Sequence, residues 1–155
     1  MHSLSIDTPL GKMVAKCDDI GITNLDFTDS DTIYKSDNKM LLELDRQLRE
    51  YFIKKREVFD LPLNPSGTPF QLEVWNTLLK IPYASTISYK TEAAMMGRDR
   101  GFRAVANANG KNPISIIIPC HRVIASDKTL GGYSGGLDKK IALLELEGTL
   151  GDIKM

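Results

Sequence analysis

The sequence predicts an α+β protein in two parts. A small N-terminal sheet-plus-helix lobe spans residues 1–62, and a mainly helical C-terminal domain with a helix-turn-helix spans residues 63–155. Three observations lead there. The first third alternates short β-like pieces with one amphipathic helix. A linker, Leu61-Pro62-Leu63-Asn64-Pro65-Ser66-Gly67, then breaks the pattern with two prolines and a glycine. Beyond it come helices whose starts are marked by capping residues.

In the first lobe, β-like segments at Lys12–Cys17 and Ile20–Phe27 flank a turn at Asp18-Asp19. From Asn38 to Phe52, Leu41, Leu44, Leu48 and Phe52 recur at helical spacing with Arg46, Gln47, Arg49 and Glu50 between them; Asp37 or Asn38 is the N-cap. After the linker, Thr68-Pro69-Phe70-Gln71 has every part of a capping box with proline at the first helical position. That helix must stop before Ile81-Pro82, because a residue preceding proline is pushed out of helical geometry. Ser88 caps a second helix ending at Gly97, and Asp99 caps a third over Arg100–Asn109; this pair has helix-turn-helix spacing. Ile114–Ile118 is an apolar run expected to be a buried strand. A last helix, about Asp138 to Glu147, turns Ile141, Leu143 and Leu144 inward and ends at Gly148.

Composition narrows the function classes. No apolar run approaches the ~20 residues of a membrane span, and the N-terminus lacks the basic-then-apolar pattern of a secretory signal. Two distant cysteines, Cys17 and Cys120, predict no disulfide framework and a reducing compartment, the cytoplasm. Cys17 reads as a core thiol, and with His2 it is too little for a tetrahedral metal site. Net charge is zero, but residues 63–140 hold ten Lys/Arg against five Asp/Glu, the balance expected of a surface that meets nucleic acid.

Chemistry concentrates at Ile118-Pro119-Cys120-His121-Arg122-Val123. A thiol is a nucleophile as thiolate, and an adjacent imidazole can draw off its proton; a buried cysteine that merely packs is the alternative. The third helix, Arg103-Ala104-Val105-Ala106-Asn107-Ala108-Asn109-Gly110, is stripped of bulk. Such a helix either packs tightly on a neighbour or enters a narrow space, and a DNA minor groove is only ~6 Å wide. The loop Gly131-Gly132-Tyr133-Ser134-Gly135-Gly136 lacks the Lys-Ser/Thr ending of a phosphate loop, so its glycines read as allowing close backbone approach to a ligand.

From Pro69 to Gly148 these fragments, with Tyr83-Ala84, Ile87-Ser88-Tyr89, Asn112-Pro113, Tyr133-Ser134-Gly135-Gly136-Leu137 and Glu147-Gly148 in order, resemble the O6-alkylguanine-DNA alkyltransferases. The resemblance implies a protein that flips a damaged base out of double-stranded DNA and moves the alkyl group from guanine O6, more weakly from thymine O4, onto Cys120. It implies action as a monomer, without metal or organic cofactor, in the cytoplasm or on the nucleoid. His121 would be the base, oriented by Glu147, with a water between His121 and Cys120. Tyr89 would donate to the guanine. Tyr133 would close the pocket, Ser134 would offer its backbone N–H to O6, and the carbonyls of Cys120 and Val123 would accept from the exocyclic amine. Asn109 and Asn112 would belong to the pocket, with Asn112 fixing the helix against the Cys120 segment. Arg103 would fill the vacated base stack, Ala104, Ala106 and Lys140 would lie on the DNA side, and Arg122 would make structural bonds. On the residues alone, Glu147 also fits a solvated helix end, Tyr89 an ordinary half-buried tyrosine, and Asn112 an Asx turn. A non-catalytic lesion-binding or regulatory module and a cysteine hydrolase are the competing classes. The first needs no Cys120–His121–Glu147 set, and the second leaves Arg103 and its small-residue helix without a use.

Overall fold

Three strands open the chain as an antiparallel meander: β1 (His2–Thr8), β2 (Gly11–Cys17) and β3 (Ile22–Phe27), in the order β1-β2-β3. These belong to a computed structural model that describes residues 1–98 and 101–155 and divides into two compact units, Met1–Ser66 and Gly67–Met155. Strand β1 is an addition to the expected elements. Its alternation is carried by Leu4 and Ile6 alone, and only Ile6 is fully buried, so periodicity gave little signal. Asp18 makes the expected turn, accepting from the N–H groups of Ile20 and Gly21.

Alternate residues Met13, Ala15 and Cys17 of β2, with Ile6 and Leu25, form the apolar face of the sheet. Helix α1 (Lys39–Phe52) covers it with Leu41, Leu44, Leu48 and Tyr51. Asn38 caps α1, its side chain accepting from Met40 and Leu41 N–H. Leu63 and Asn64, inside the expected linker and past the expected boundary at residue 62, are tied to β3 instead. Leu63 pairs with Ile22, and the Asn64 N–H donates to the Ile22 carbonyl at 2.7 Å. The compact units therefore divide after Ser66, not after residue 62.

The second unit begins with α2 (Pro69–Leu78). Its capping box is complete: the Gln71 N–H donates to Thr68 Oγ1, and the Thr68 N–H to Gln71 Oε1. Trp75 Nε1 donates to the Ala108 carbonyl at 2.9 Å inside the core, fastening α2 to α4 (Phe102–Gly110). Between them, α3 (Tyr89–Met95) is capped by Ser88, follows β4 (Ile87–Ser88), and packs on α4 as a helix-turn-helix pair. Gly101 occupies the N-cap of α4 without a side-chain bond; Asp99, the expected cap, lies outside the described residues. Strand β5 (Val123–Ile124) pairs in parallel with β4, and α5 (Leu137–Leu146) closes the unit with Leu143 and Leu144 fully buried.

One expected element is absent. Ile114–Ile118 is not a strand but a run of turns, with Ile116 at φ 73° and local bonds such as Ile118 N–H to the Ile114 carbonyl. The burial reading was right, since Ile114, Ile116, Ile117 and Ile118 are all in the core. Burial on every side erases the period that distinguishes a strand from a folded segment. Cys120–Arg122 continues as a single 3₁₀ turn.

Candidate active site

Cys120 heads that 3₁₀ turn, and one side chain, that of Asn112, bonds around it. Asn112 Nδ2 donates to the Ile118 carbonyl at 2.7 Å and approaches Cys120 Sγ at 3.3 Å, while its Oδ1 accepts from the Ile114 N–H at 2.9 Å. Asn112 thus holds the turns before the cysteine and touches the sulfur from behind; it does not line the pocket. Burial pushes the Cys120 thiol up to about 11, against lowering contributions from the Asn112 bond and the nearby Lys140 charge. At neutral pH the resting group is therefore a thiol, and a base must take its proton during any reaction.

His121 follows, fully buried. Its Nε2 lies 2.8 Å from Glu147 Oε2. Glu147 is the C-cap residue of α5, so helix geometry aims its carboxylate back into the core. Arg122 completes the set: Nε donates to Glu147 Oε1 at 2.8 Å, Nη2 to Oε2 at 3.1 Å, and Nη1 to the Ile81 carbonyl at 2.8 Å. Burial by itself would raise the Glu147 carboxyl, but hydrogen bonds and charge from His121 and Arg122 overcome it and hold the group at about 2. An ionised Glu147 requires the His121 proton on Nε2. Burial lowers the imidazole's own pKa, favouring the neutral ring. Nδ1 then carries the lone pair, and it has no hydrogen-bond partner in the protein among the described residues.

His121 and Cys120 make no hydrogen bond to each other, as expected. The two residues are neighbours in a single 3₁₀ turn. A neutral imidazole with an unused Nδ1 can act on the thiol through one intervening water.

The pocket beyond the sulfur has a volume of about 320 Å³. Tyr89 from α3, Ala106, Asn107, Asn109 and Gly110 from α4, and Gly132, Tyr133 and Ser134 from the loop before α5 line it together with Cys120. Gly131, at φ 71°, lies so close to Tyr89 that a Cβ there would meet the phenol oxygen at 2.6 Å; only glycine lets the loop take this path. Burial raises the Tyr89 phenol above its ordinary range, so it remains an O–H donor at neutral pH.

Sequence reading placed Cys120, Tyr89, Tyr133, Ser134 and Asn109 at this pocket, and they are there. Arg103 and Ala104 are exposed on α4, and Ala106, half-buried, borders the pocket. Three assignments change, the first being Asn112, which lies behind the sulfur and not in the pocket lining. Lys140 is not on a DNA face: it is fully buried, and its ammonium donates to the carbonyls of Val123, Leu130 and Gly132. Burial lowers it to about 8. Its three N–H groups meet three acceptors, which fastens the pocket loop to β5. Val123, fully buried, does not line the pocket, and its carbonyl already receives Lys140 at 2.7 Å. Glu92 was missed. It is buried on α3 and receives Asn109 Nδ2 at 2.7 Å; a charged residue on the same helical face as Tyr89 and Met96 was the available signal.

Comparison with known proteins agrees with this geometry. Residues 69–149 match the family described as 6-O-methylguanine DNA methyltransferase, DNA binding domain, and residues 1–65 match its ribonuclease-like domain. A methylated-DNA–protein-cysteine methyltransferase of Methanosarcina barkeri is 45% identical over 148 residues, 92% of this chain and 94% of that protein. A constitutive methylated-DNA–protein-cysteine methyltransferase of Bacillus subtilis is 39% identical, covering 91% of this chain and 92% of its own. Among solved structures, Mycobacterium tuberculosis OGT in complex with DNA superposes with a TM-score of 0.88 at 41% identity, covering 97% of this chain and 94% of that one. Matched along nearly its whole length, the chain belongs to the 6-O-methylguanine DNA methyltransferase family.

Proposed function

We propose that this protein repairs DNA by moving an alkyl group from guanine O6 to its own Cys120, once per molecule. The observation that carries this reading is the buried relay behind the pocket. Cys120 faces the cavity, His121 keeps Nδ1 unspent, and Glu147 is locked to His121 and Arg122.

The chemistry is a displacement at carbon. The Cys120 sulfur attacks the alkyl carbon, a C–S bond forms as the C–O6 bond breaks, and the departing electron pair passes into the guanine ring. Ionising a thiol held at about 11 in neutral solution requires about 5 kcal/mol. His121 Nδ1 reduces that demand by taking the thiol proton through water as the sulfur attacks. Glu147 holds the imidazole in the required tautomer and balances the imidazolium that forms. Tyr89 donates to the leaving base, and the backbone of the Tyr133–Ser134 segment faces O6. The products are a thioether on Cys120 and unmodified guanine. No step regenerates the thiol, which makes the protein a single-use acceptor.

Guanine O6 lies in the major groove, whereas the small exposed face of α4 suits the minor groove. Both hold if the nucleotide leaves the stack, at a few kcal/mol, less for a poorly paired lesion. Arg103, exposed on α4, fills the gap, and the net positive charge of residues 63–140 meets the phosphates with little sequence preference. A reducing, DNA-bearing compartment, the cytoplasm, keeps Cys120 a thiol. No described helix is long and apolar enough to cross a membrane. Incubation with O6-benzylguanine followed by intact mass spectrometry tests the reading. One benzyl group per chain is expected, and none on Cys120→Ala; an unchanged wild-type mass would overturn it.

A further inference from the structure

Glu92 has no part in the relay above, yet it is bonded to Asn109, which lines the same pocket. Its carboxyl has no solvent exposure. Oε1 accepts from Asn109 Nδ2 at 2.7 Å, while Oε2 has no hydrogen-bond partner among the described residues. Asn109 from α4 bonds to it, and its charge acts on Cys120 in the 3₁₀ turn and on Tyr89 of its own helix. Lys140 reaches the Tyr89 ring, 5.9 Å from its centroid, but forms no ion pair with Glu92. From α2 the one acid, Glu73, is paired with Arg98 at the surface, and β5 contributes only Val123 and Ile124.

Resting on the alkyl-transfer reading, we propose that Glu92 is a positioning residue. As a neutral, protonated carboxyl it fixes Asn109 in the pocket wall, and its ionisation restrains proton loss from Cys120. A carboxylate sealed from water needs several strong donors, and here it has one amide. Burial accordingly lifts Glu92 to about 7, against the lowering bond from Asn109. A negative charge at this point raises both the Cys120 thiol and the Tyr89 phenol. Those are the two groups that must give up or share a proton during transfer. The same residue therefore couples wall geometry, through Asn109, to nucleophile reactivity, through charge.

The test compares benzyl transfer from O6-benzylguanine to Cys120 in wild type, Glu92→Gln and Glu92→Leu across neutral pH. Gln keeps an acceptor for Asn109 but cannot ionise; Leu keeps neither property. The wild-type to Gln rate ratio should fall roughly threefold or more as pH rises through the Glu92 titration. The Leu variant should be slower than the Gln variant at every pH. A ratio flat with pH, or a Gln variant as slow as Leu throughout, would overturn the proposal. Infrared titration of wild type carrying isotope-labelled glutamate supplies a readout that needs no variant to fold. A protonated carboxyl persisting near neutral pH supports the proposal, and full ionisation in the ordinary carboxylate range overturns it. Wild type that takes up no benzyl group would sink the alkyl-transfer reading instead, a distinguishable result.

Discussion

Replacing Glu147 with Gln removes the charge at the centre of the relay while keeping its volume. In wild type the carboxylate accepts from His121 Nε2 at 2.8 Å, Arg122 Nε at 2.8 Å and Arg122 Nη2 at 3.1 Å, with its side chain fully buried. A Gln offers one oxygen to these three donors and turns its NH₂ toward another N–H. Breaking a buried ion pair from one side costs about 3–5 kcal/mol. For a domain of this length that lowers the melting temperature by roughly 6–20 °C. Acid titration gives a second estimate. The group is depressed from 4.5 to about 2, so its stabilisation is fully present above the unfolded-state value and is lost as pH falls through the folded-state value. The shift corresponds to about 3 kcal/mol, and the gap between wild type and variant should close in that acid window. Transfer should slow by roughly 10²-fold or more, since His121 is no longer held with its lone pair on Nδ1. Thermal unfolding followed by circular dichroism and timed intact-mass measurements read the two effects. A variant that melts within about 2 °C of wild type, or that transfers alkyl groups at the wild-type rate, would refute the reasoning.

Lys140→Met should leave the carbonyls of Val123, Leu130 and Gly132 without their donor. Faster hydrogen exchange over residues 130–134 and roughly tenfold slower benzyl transfer are expected; unchanged exchange would contradict the fastening role. Arg103→Ala should slow repair of methylated duplex far more than reaction with free O6-benzylguanine, whereas His121→Ala should slow both. Equal losses for Arg103→Ala on the two substrates would remove it from base extrusion.

What could be read in the sequence was whatever local chemistry decides. The capping box at Thr68 and Gln71, the Ser88 cap and the Asn38 cap depend on residues three apart or closer, and all form as expected. The Cys120–His121–Glu147 grouping was legible only through resemblance, because Glu147 reaches His121 across 26 residues of chain. Periodicity failed at Ile114–Ile118, where all-round burial leaves no polar face to set a period. The DNA-side placement failed at Lys140. A lysine normally signals surface, but this one sits where loop backbone converges and three carbonyls need a donor. Glu92 was hidden for the same reason, since its meaning depends on Asn109 one helix away.

The most direct test is the fate of the methyl group. Wild-type protein is incubated with excess duplex containing O6-methylguanine, then digested and mapped by mass spectrometry. One methyl group per chain, on Cys120 and stable to further incubation, with unmodified guanine left in the DNA, is the predicted result. Methyl loss exceeding one equivalent per chain, or a methyl group on Cys17 in place of Cys120, would contradict the account.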